Sequence, residues 1–221
     1  MDIIFAHNSH NRPKTLVETI LLEKTHYPDS KHYVSVTENG GITENYFSDI
    51  PNVKFKQTFG NTWQLGCVNC FYSLISDICN QHDDGLIIFS HDDIFLSNHD
   101  AVNSNISKMI DENLSYILRR PKDFWGPDYF MMEVVYLRVS YIKQYFESLN
   151  NCLFNLESEI NRDVLGYISA ESWLANQLKN CENGLIIDYE HRNSTNEIIN
   201  NHLNECLGYT HKNLGSTGWT E

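Results

Sequence analysis

Gly85-Leu86-Ile87-Ile88-Phe89-Ser90-His91-Asp92-Asp93-Ile94 is a glycine-opened apolar run that stops at a histidine and two acids. About five consecutive apolar residues read as a strand covered on both faces, the pattern of a parallel sheet held between helices. Ligands of such sheets gather at the carboxyl ends of the strands, which is where His91, Asp92 and Asp93 fall. Alternate residues of an extended chain share a face, so His91 and Asp93 are expected on one side and Asp92 on the other. Nitrogen and oxygen donors without a thiolate suit Mn2+ or Mg2+, which complete their shells with water and substrate phosphates. Asp92 is then left for a ribose hydroxyl. The competing reading is a solvated strand end.

Units of strand and helix precede this stretch. Residues 2–6 read as a strand, followed by the polar turn His7-Asn8-Ser9-His10-Asn11-Arg12-Pro13. A helix comes next, with Asn11 as cap, Pro13 in its first turn and an apolar stripe of Leu16, Val17, Ile20 and Leu21. That turn lies at a strand's carboxyl end, which makes His7, Asn8, Ser9 and Arg12 candidates to line a crevice. Residues 33–37 alternate as a second strand and run into Glu38-Asn39-Gly40-Gly41, where Glu38 can accept ribose or base hydrogen bonds. A third strand is expected over 53–57. Then Cys67, Cys70, Phe71, Leu74, Ile75 and Ile78 share one helical face. The Cys67-x-x-Cys70 pair belongs to that stripe and has no second pair to complete a zinc site, so both cysteines read as packing residues. Asn69 lies off the stripe and is expected to meet a ligand instead.

Beyond the central run, 101–112 reads as helix and 116–118 as a short strand ended by Arg119-Arg120-Pro121, a solvated corner or a phosphate partner. Phe124-Trp125-Gly126-Pro127-Asp128 is an aromatic turn suited to stacking on a sugar ring or to core packing. Residues 130–138 form an expected strand, and 140–149, 155–165 and a segment from Ala170 expected helices. Glu171 sits in the first turn of the last of these, where the helix dipole favours an ionised carboxylate able to accept a proton. A strand over 185–189 and an amphipathic helix over 196–207 lead to a glycine-rich tail. There His211 can reach back as a metal ligand, with Lys212 near phosphate.

The 221 residues suffice for one domain, 1–221, with a full core. A net charge of -13, from 29 acids against 16 Lys and Arg, argues against a surface that tracks DNA or RNA. Six cysteines, at 67, 70, 79, 152, 181 and 206, make no paired framework, and the chain opens Met-Asp-Ile-Ile-Phe without a basic, apolar leader. No apolar run approaches the roughly 20 residues of a membrane span, so a cytoplasmic protein with reduced thiols is expected.

Strand-turn-helix first, an acid after the second strand, glycine and asparagine entering a long helix, then an apolar strand into acids: this order resembles the GT-A glycosyltransferases. The resemblance covers most of residues 2–178 and implies an α/β fold, a Rossmann-like and mostly parallel central sheet flanked by helices. Ile87-Ile88-Phe89-Ser90-His91-Asp92-Asp93 resembles the family's metal-binding Asp-X-Asp strand end, and Gly66 to Asn69 is similar to its G-x-x-N segment. It implies that the His7 to Arg12 turn and Glu38 approach the nucleoside, and that Asp93 holds Mn2+ or Mg2+ on the diphosphate. His91 stands where the family has its first acid. Glu171-Ser172 stands where inverting members often carry Glu-Asp, which makes Glu171 the candidate base. The tail His211-x-x-x-Gly215-x-x-x-Trp219 is loosely similar to the His-Gly-Trp ending of some retaining members, whose histidine completes the metal site.

The activity so implied is metal-dependent transfer of a sugar from a nucleoside diphosphate donor, a UDP-sugar foremost, to a hydroxyl of a glycan or other acceptor. Two further readings stand beside it. The missing first acid and altered Glu-Asp pair fit a non-catalytic GT-A relative that binds nucleotide or glycan. His91-Asp92 resembles the metal pair of HD phosphohydrolases, although those pairs sit on helices.

Overall fold

A computed structural model describes residues 1–58, 63–122, 131–144, 183–192 and 194–211. In chain order the elements are β1 (Ile3–Ser9), α1 (Pro13–His26), β2 (Lys31–Thr37), β3 (Val53–Thr58), α2 (Trp63–Gln81), β4 (Leu86–His91) and β5 (Ile94–Leu96). They continue with α3 (His99–Asp111), β6 (Tyr116–Pro121), β7 (Met131–Arg138), β8 (Gly184–Tyr189), α4 (Asn196–Leu207) and β9 (Tyr209–His211). Seven strands form one sheet in the order β3-β2-β1-β4-β7-β6-β8. The pairings β1–β2, β2–β3, β1–β4 and β6–β8 are parallel, and β7 alone runs antiparallel to its neighbours β4 and β6. The α/β, mostly parallel sheet expected from the sequence is the one observed.

The apolar run of β4 sits between β1 and β7 because both of its faces are covered. Ile87 and Phe89 pack with Phe71, Leu74 and Ile75 of α2, whereas Leu86 and Ile88 pack on the other side with Val102 and Met109 of α3 and Leu203 and Leu207 of α4. Each such side chain taken fully from water contributes about 1.5–3 kcal/mol, so unbroken hydrophobicity is what this position selects. Cys70 and Cys79 lie buried along α2, in keeping with a packing role.

Three local expectations are corrected. First, β1 runs on to Ser9, pairing Asn8 with His91 on one side and Ser9 with Val36 on the other, so His7 and Asn8 belong to a strand and not to a turn. Ladders on both edges satisfy that backbone, and His7 finds an interior partner, its Nδ1 3.0 Å from Ser90 Oγ. Second, the stripe of α1 is rotated: Leu16 and Ile20 are buried, Leu21 is half exposed, and Glu23 continues the buried face. Third, Arg119 and Arg120 lie inside β6 instead of ending it. Arg119 is fully buried, stacked 3.9 Å over the Tyr189 ring, and Arg120 forms a two-pronged pair with Asp188 at 2.6 and 3.0 Å. The predicted helices over 155–165 and from Ala170, most of 140–149, and the Phe124–Asp128 turn lie outside the described residues.

The end of α4 matters for function. Thr195 caps its start by accepting from the Ile198 N–H, and Gly208 closes it with φ +85°. The Gly208 carbonyl accepts from the backbone N–H groups of Ser97 and Asn98 at 2.9 and 3.0 Å, which turns the chain into β9. Strand β9 then pairs antiparallel with β5, opposing His211 to Ile94. A Cβ at 208 would lie 2.6 Å from the Asn98 carbonyl oxygen, whereas one at Gly41, also left-handed at φ +71°, would meet nothing within 4 Å. Gly208→Ala is therefore expected to lower unfolding free energy by about 1–3 kcal/mol, and Gly41→Ala by the smaller strain alone. Urea denaturation of the two variants checks this; equal losses would mean that the α4–β9 turn does not depend on close approach.

Candidate functional site

Strands β1 and β4 are neighbours, yet α1 leads from β1 to β2 on one side while β7 flanks β4 on the other. The carboxyl ends of two strands whose connections diverge leave a crevice between them, the usual ligand position in open α/β sheets. Here it is a cleft of about 170 Å³ lined by His10, Asn11 and Arg12 after β1, His91 to Ile94 from the last residue of β4 to the first of β5, Met131 and Glu133 of β7, and His211 of β9.

The two acids differ in environment. Asp92 Oδ2 accepts from the Ser9 hydroxyl at 2.7 Å and the His10 N–H at 2.9 Å, tying β4 to the end of β1. Burial and the neighbouring Asp93 raise its pKa against those hydrogen bonds, burial being the larger influence. Asp93 is also penalised by burial, but His211, His91 and Arg12 hold its carboxyl down at about 2. Strand β4 ends at His91 and residues 92–93 form a turn. Strict alternation therefore stops before the acids, and His91, Asp92 and Asp93 all border the cleft.

Charges of opposite sign follow one another across the cleft floor. Arg12 Nη1 lies 3.8 Å from Asp93 Oδ2, and His211 Nδ1 3.5 Å from the same oxygen. The other ring nitrogen of His211 is 3.3 Å from Glu133 Oε1, and Glu133 Oε2 is 3.2 Å from buried Arg119 Nη1. Burial opposes charge on His211, yet the two carboxylates raise its pKa from 6.5 to about 10. Glu133, likewise opposed by burial, is held at about 2 by Arg119 and His211. His91 Nε2 is buried without a hydrogen-bond partner among the described residues.

No family model matches this sequence, and no curated protein matches it. Solved structures do. A glycosyltransferase involved in glycosylation of the major capsid of PBCV-1 is similar at 11% identity and TM-score 0.60, over 98% of this chain and 96% of that one. The 2-C-methyl-D-erythritol 4-phosphate cytidylyltransferase of Francisella tularensis is similar at 10% and 0.52, over 89% and 96%. Glycosyltransferase GlyE of Streptococcus pneumoniae is similar at 12% and 0.51, over 84% of this chain and 45% of that one.

The chain has a GT-A fold. In that GT-A frame the predicted site residues separate into groups. Arg12, His91, Asp92, Asp93 and His211 meet at the cleft. His7 does not: it is fully buried on the α1 face of the sheet, and Asn8 is buried beside His91. Glu38 lies exposed in a 3-10 turn after β2, and Asn69 is half-buried on α2; neither lines the cleft. Glu171 and Lys212 lie outside the described residues. Sequence reasoning missed Glu133, and it included His10 only as part of the His7 to Arg12 turn. The signal for Glu133 was present, a single acid in the otherwise apolar run Met131-Met132-Glu133-Val134-Val135. Among the described residues no three His, Cys, Asp or Glu donor atoms of the cleft lie within 4.8 Å of one another. No helix among them is long and apolar enough to cross a membrane.

The His211 network implies a pH dependence for the metal-free protein. His211 has its pKa raised from 6.5 to about 10, so its contribution is complete below 6.5 and is lost as pH rises through 10. Asp93, lowered from 3.8 to about 2, contributes above 3.8 and loses that contribution as pH falls through 2. His211→Gln should thus cost about 1–2 kcal/mol near pH 6 and much less near pH 10. Denaturant titrations at the two pH values decide it; a loss independent of pH would refute the ion pairing.

Proposed function

We propose that this GT-A chain is a glycosyltransferase that takes a nucleoside diphosphate sugar, a UDP-sugar foremost, and delivers the sugar to a hydroxyl of a glycan or other acceptor. The observation that carries the reading is the meeting of Asp93, His211 and Arg12 at the β1–β4 switch point. Of the two ions expected, Mn2+ suits the mixed donor set better than Mg2+: Asp93 offers a carboxylate held ionised, His91 a buried ring nitrogen without a partner among the described residues, and His211 a ring nitrogen 3.5 Å from that carboxylate once an ion displaces its proton. Such ions need few protein ligands, because water and phosphate oxygens fill the rest of the shell. The ion, when bound, supplies positive charge against a departing diphosphate.

The chain's own residues would do the remaining work. Arg12, 12% exposed at its side chain, is placed to pair with a phosphate oxygen. Asp92 is oriented by Ser9 and His10, leaving its second oxygen for a ribose hydroxyl. Glu171 is the candidate base for an acceptor hydroxyl if the reaction inverts, an assignment that rests on sequence. His7, buried away from the cleft, and Glu38 and Asn69, which do not line it, have no part in this scheme.

A second reading, nucleotidyl transfer, is favoured by the near full-length similarity to a cytidylyltransferase. Products separate the two: release of a nucleoside diphosphate from a sugar donor against release of pyrophosphate from a nucleoside triphosphate and a sugar phosphate. With a panel of UDP-sugars and Mn2+, nucleoside diphosphate release is expected from the wild type and a loss of at least about 100-fold from Asp93→Ala. Calorimetric binding of UDP that ignored both Mn2+ and Asp93→Ala would remove the cleft assignment. Glu171→Gln should lower kcat by about 10²–10⁴-fold with KM little changed if Glu171 is the base. An unchanged kcat would leave the retaining route.

A further inference from the structure

On the α1 face of the sheet, three side chains converge in a space closed to solvent: His7 from β1, His32 from β2 and Glu23 from α1, each 0% exposed. Their placement follows from the fold. Parallel pairing sets His32 beside Phe5, and strand alternation puts His7 on the same face as Phe5. Glu23 continues the Leu16–Ile20 stripe of α1, seven residues after Leu16, and so points at that face.

Glu23 Oε2 lies 3.0 Å from His7 Nε2 and 3.5 Å from His32 Nδ1, and the three atoms are all within 4.8 Å of one another. Among the described residues none of the three has a hydrogen-bond partner; even the 3.0 Å approach is out of line for one. A buried polar atom without a partner costs about 1–3 kcal/mol, and three gathered within 4.8 Å of one another call for a common cause.

The far side of each group is held. The Ser30 hydroxyl donates to the Tyr27 carbonyl at 2.6 Å, so in its 2.9 Å contact with His32 Nε2 it accepts from the ring N–H. Burial holds His32 neutral, so with Nε2 carrying the proton the lone pair of Nδ1 is left on the side of the carboxylate. His7 Nδ1 is 3.0 Å from Ser90 Oγ, and the Tyr209 hydroxyl donates to Glu23 Oε1 at 3.0 Å. Outer atoms anchored by hydroxyls and inner atoms bare is the arrangement by which proteins orient metal ligands. A lone pair facing a carboxylate in a low dielectric repels it unless a cation lies between.

We propose that His7, Glu23 and His32 form a buried structural site for a divalent transition metal ion, zinc foremost. Two imidazoles and a carboxylate suit zinc, whereas Mg2+ and Ca2+ prefer all-oxygen shells. The spacing agrees: ligand atoms about 2.0–2.1 Å from a tetrahedral ion stand about 3.3–3.4 Å apart, between the two separations observed. The ion would clamp β1, β2 and α1 together directly beneath the cleft. It is independent of the donor-site reading, since none of its ligands lines that cleft.

The test measures zinc by plasma mass spectrometry in protein loaded with Zn2+ and dialysed, for wild type, Asp93→Ala and Glu23→Gln. About one equivalent is expected in the first two and less than about a tenth in the third, with thermal stabilisation by Zn2+ following the same pattern. Should Glu23→Gln fail to fold, Co2+ loaded into Asp93→Ala decides, because tetrahedral absorption bands there report a site that does not need the ionised carboxylate of the cleft. Zinc that is neither retained nor stabilising in the wild type overturns the proposal. So does zinc that is lost with Asp93 and kept without Glu23, or Co2+-loaded Asp93→Ala without tetrahedral bands.

Discussion

Parallel pairing of β1 with β4 sets His7 beside Ser90 and Asn8 beside His91, and every polar group of interest takes its address from that register. A slip of one residue would exchange the two faces of the sheet. The histidine cluster under α1 would then be carried to the α2 side, and the tie from Ser9 and His10 to Asp92 would be lost. The fit of Ile87 and Phe89 against α2, and of Leu86 and Ile88 against α3 and α4, opposes such a slip, because the exchanged side chains differ in shape and close packing does not accommodate the difference. The same packing leaves only the carboxyl edge of the strand open to a ligand.

Within an acidic chain the cleft brings cationic side chains together with carboxylates. Arg12, His211 and Arg119 alternate with Asp93 and Glu133, so each charge is matched by a neighbour of opposite sign. Matching of this kind makes burial tolerable. Arg119 illustrates it: a fully buried guanidinium is held by a carboxylate at 3.2 Å on one side and an aromatic face on the other. In turn Arg119 keeps Glu133 ionised, and Glu133 helps keep His211 charged opposite Asp93.

Cleft and buried cluster lie at opposite ends of one chain of contacts. Along β1, His7 belongs to the cluster and Ser9, two residues on, holds Asp92 at the cleft. Along β9, the Tyr209 hydroxyl donates to Glu23 of the cluster, while His211 pairs with Asp93. Two strands with a two-residue repeat thus carry both sites, which ties the rigidity of the α1 face to the position of the cleft residues.

Residues 85–94 by themselves determined that a buried parallel strand ends in a histidine and two acids, and local pattern was enough to locate most described elements, with α4 matching residue for residue. Hydrophobic periodicity is a local property, so it can be read without knowing neighbours. Which polar residues face a cavity is not local. His7 and Arg119 look like exposed turn residues in the sequence, but strand pairing on both sides buried them and tertiary partners neutralised them. His211 reached Asp93 only because Gly208 turned the chain and β9 paired with a strand more than a hundred residues earlier. Contacts between distant segments depend on where the whole sheet places them, and no window of sequence contains that information.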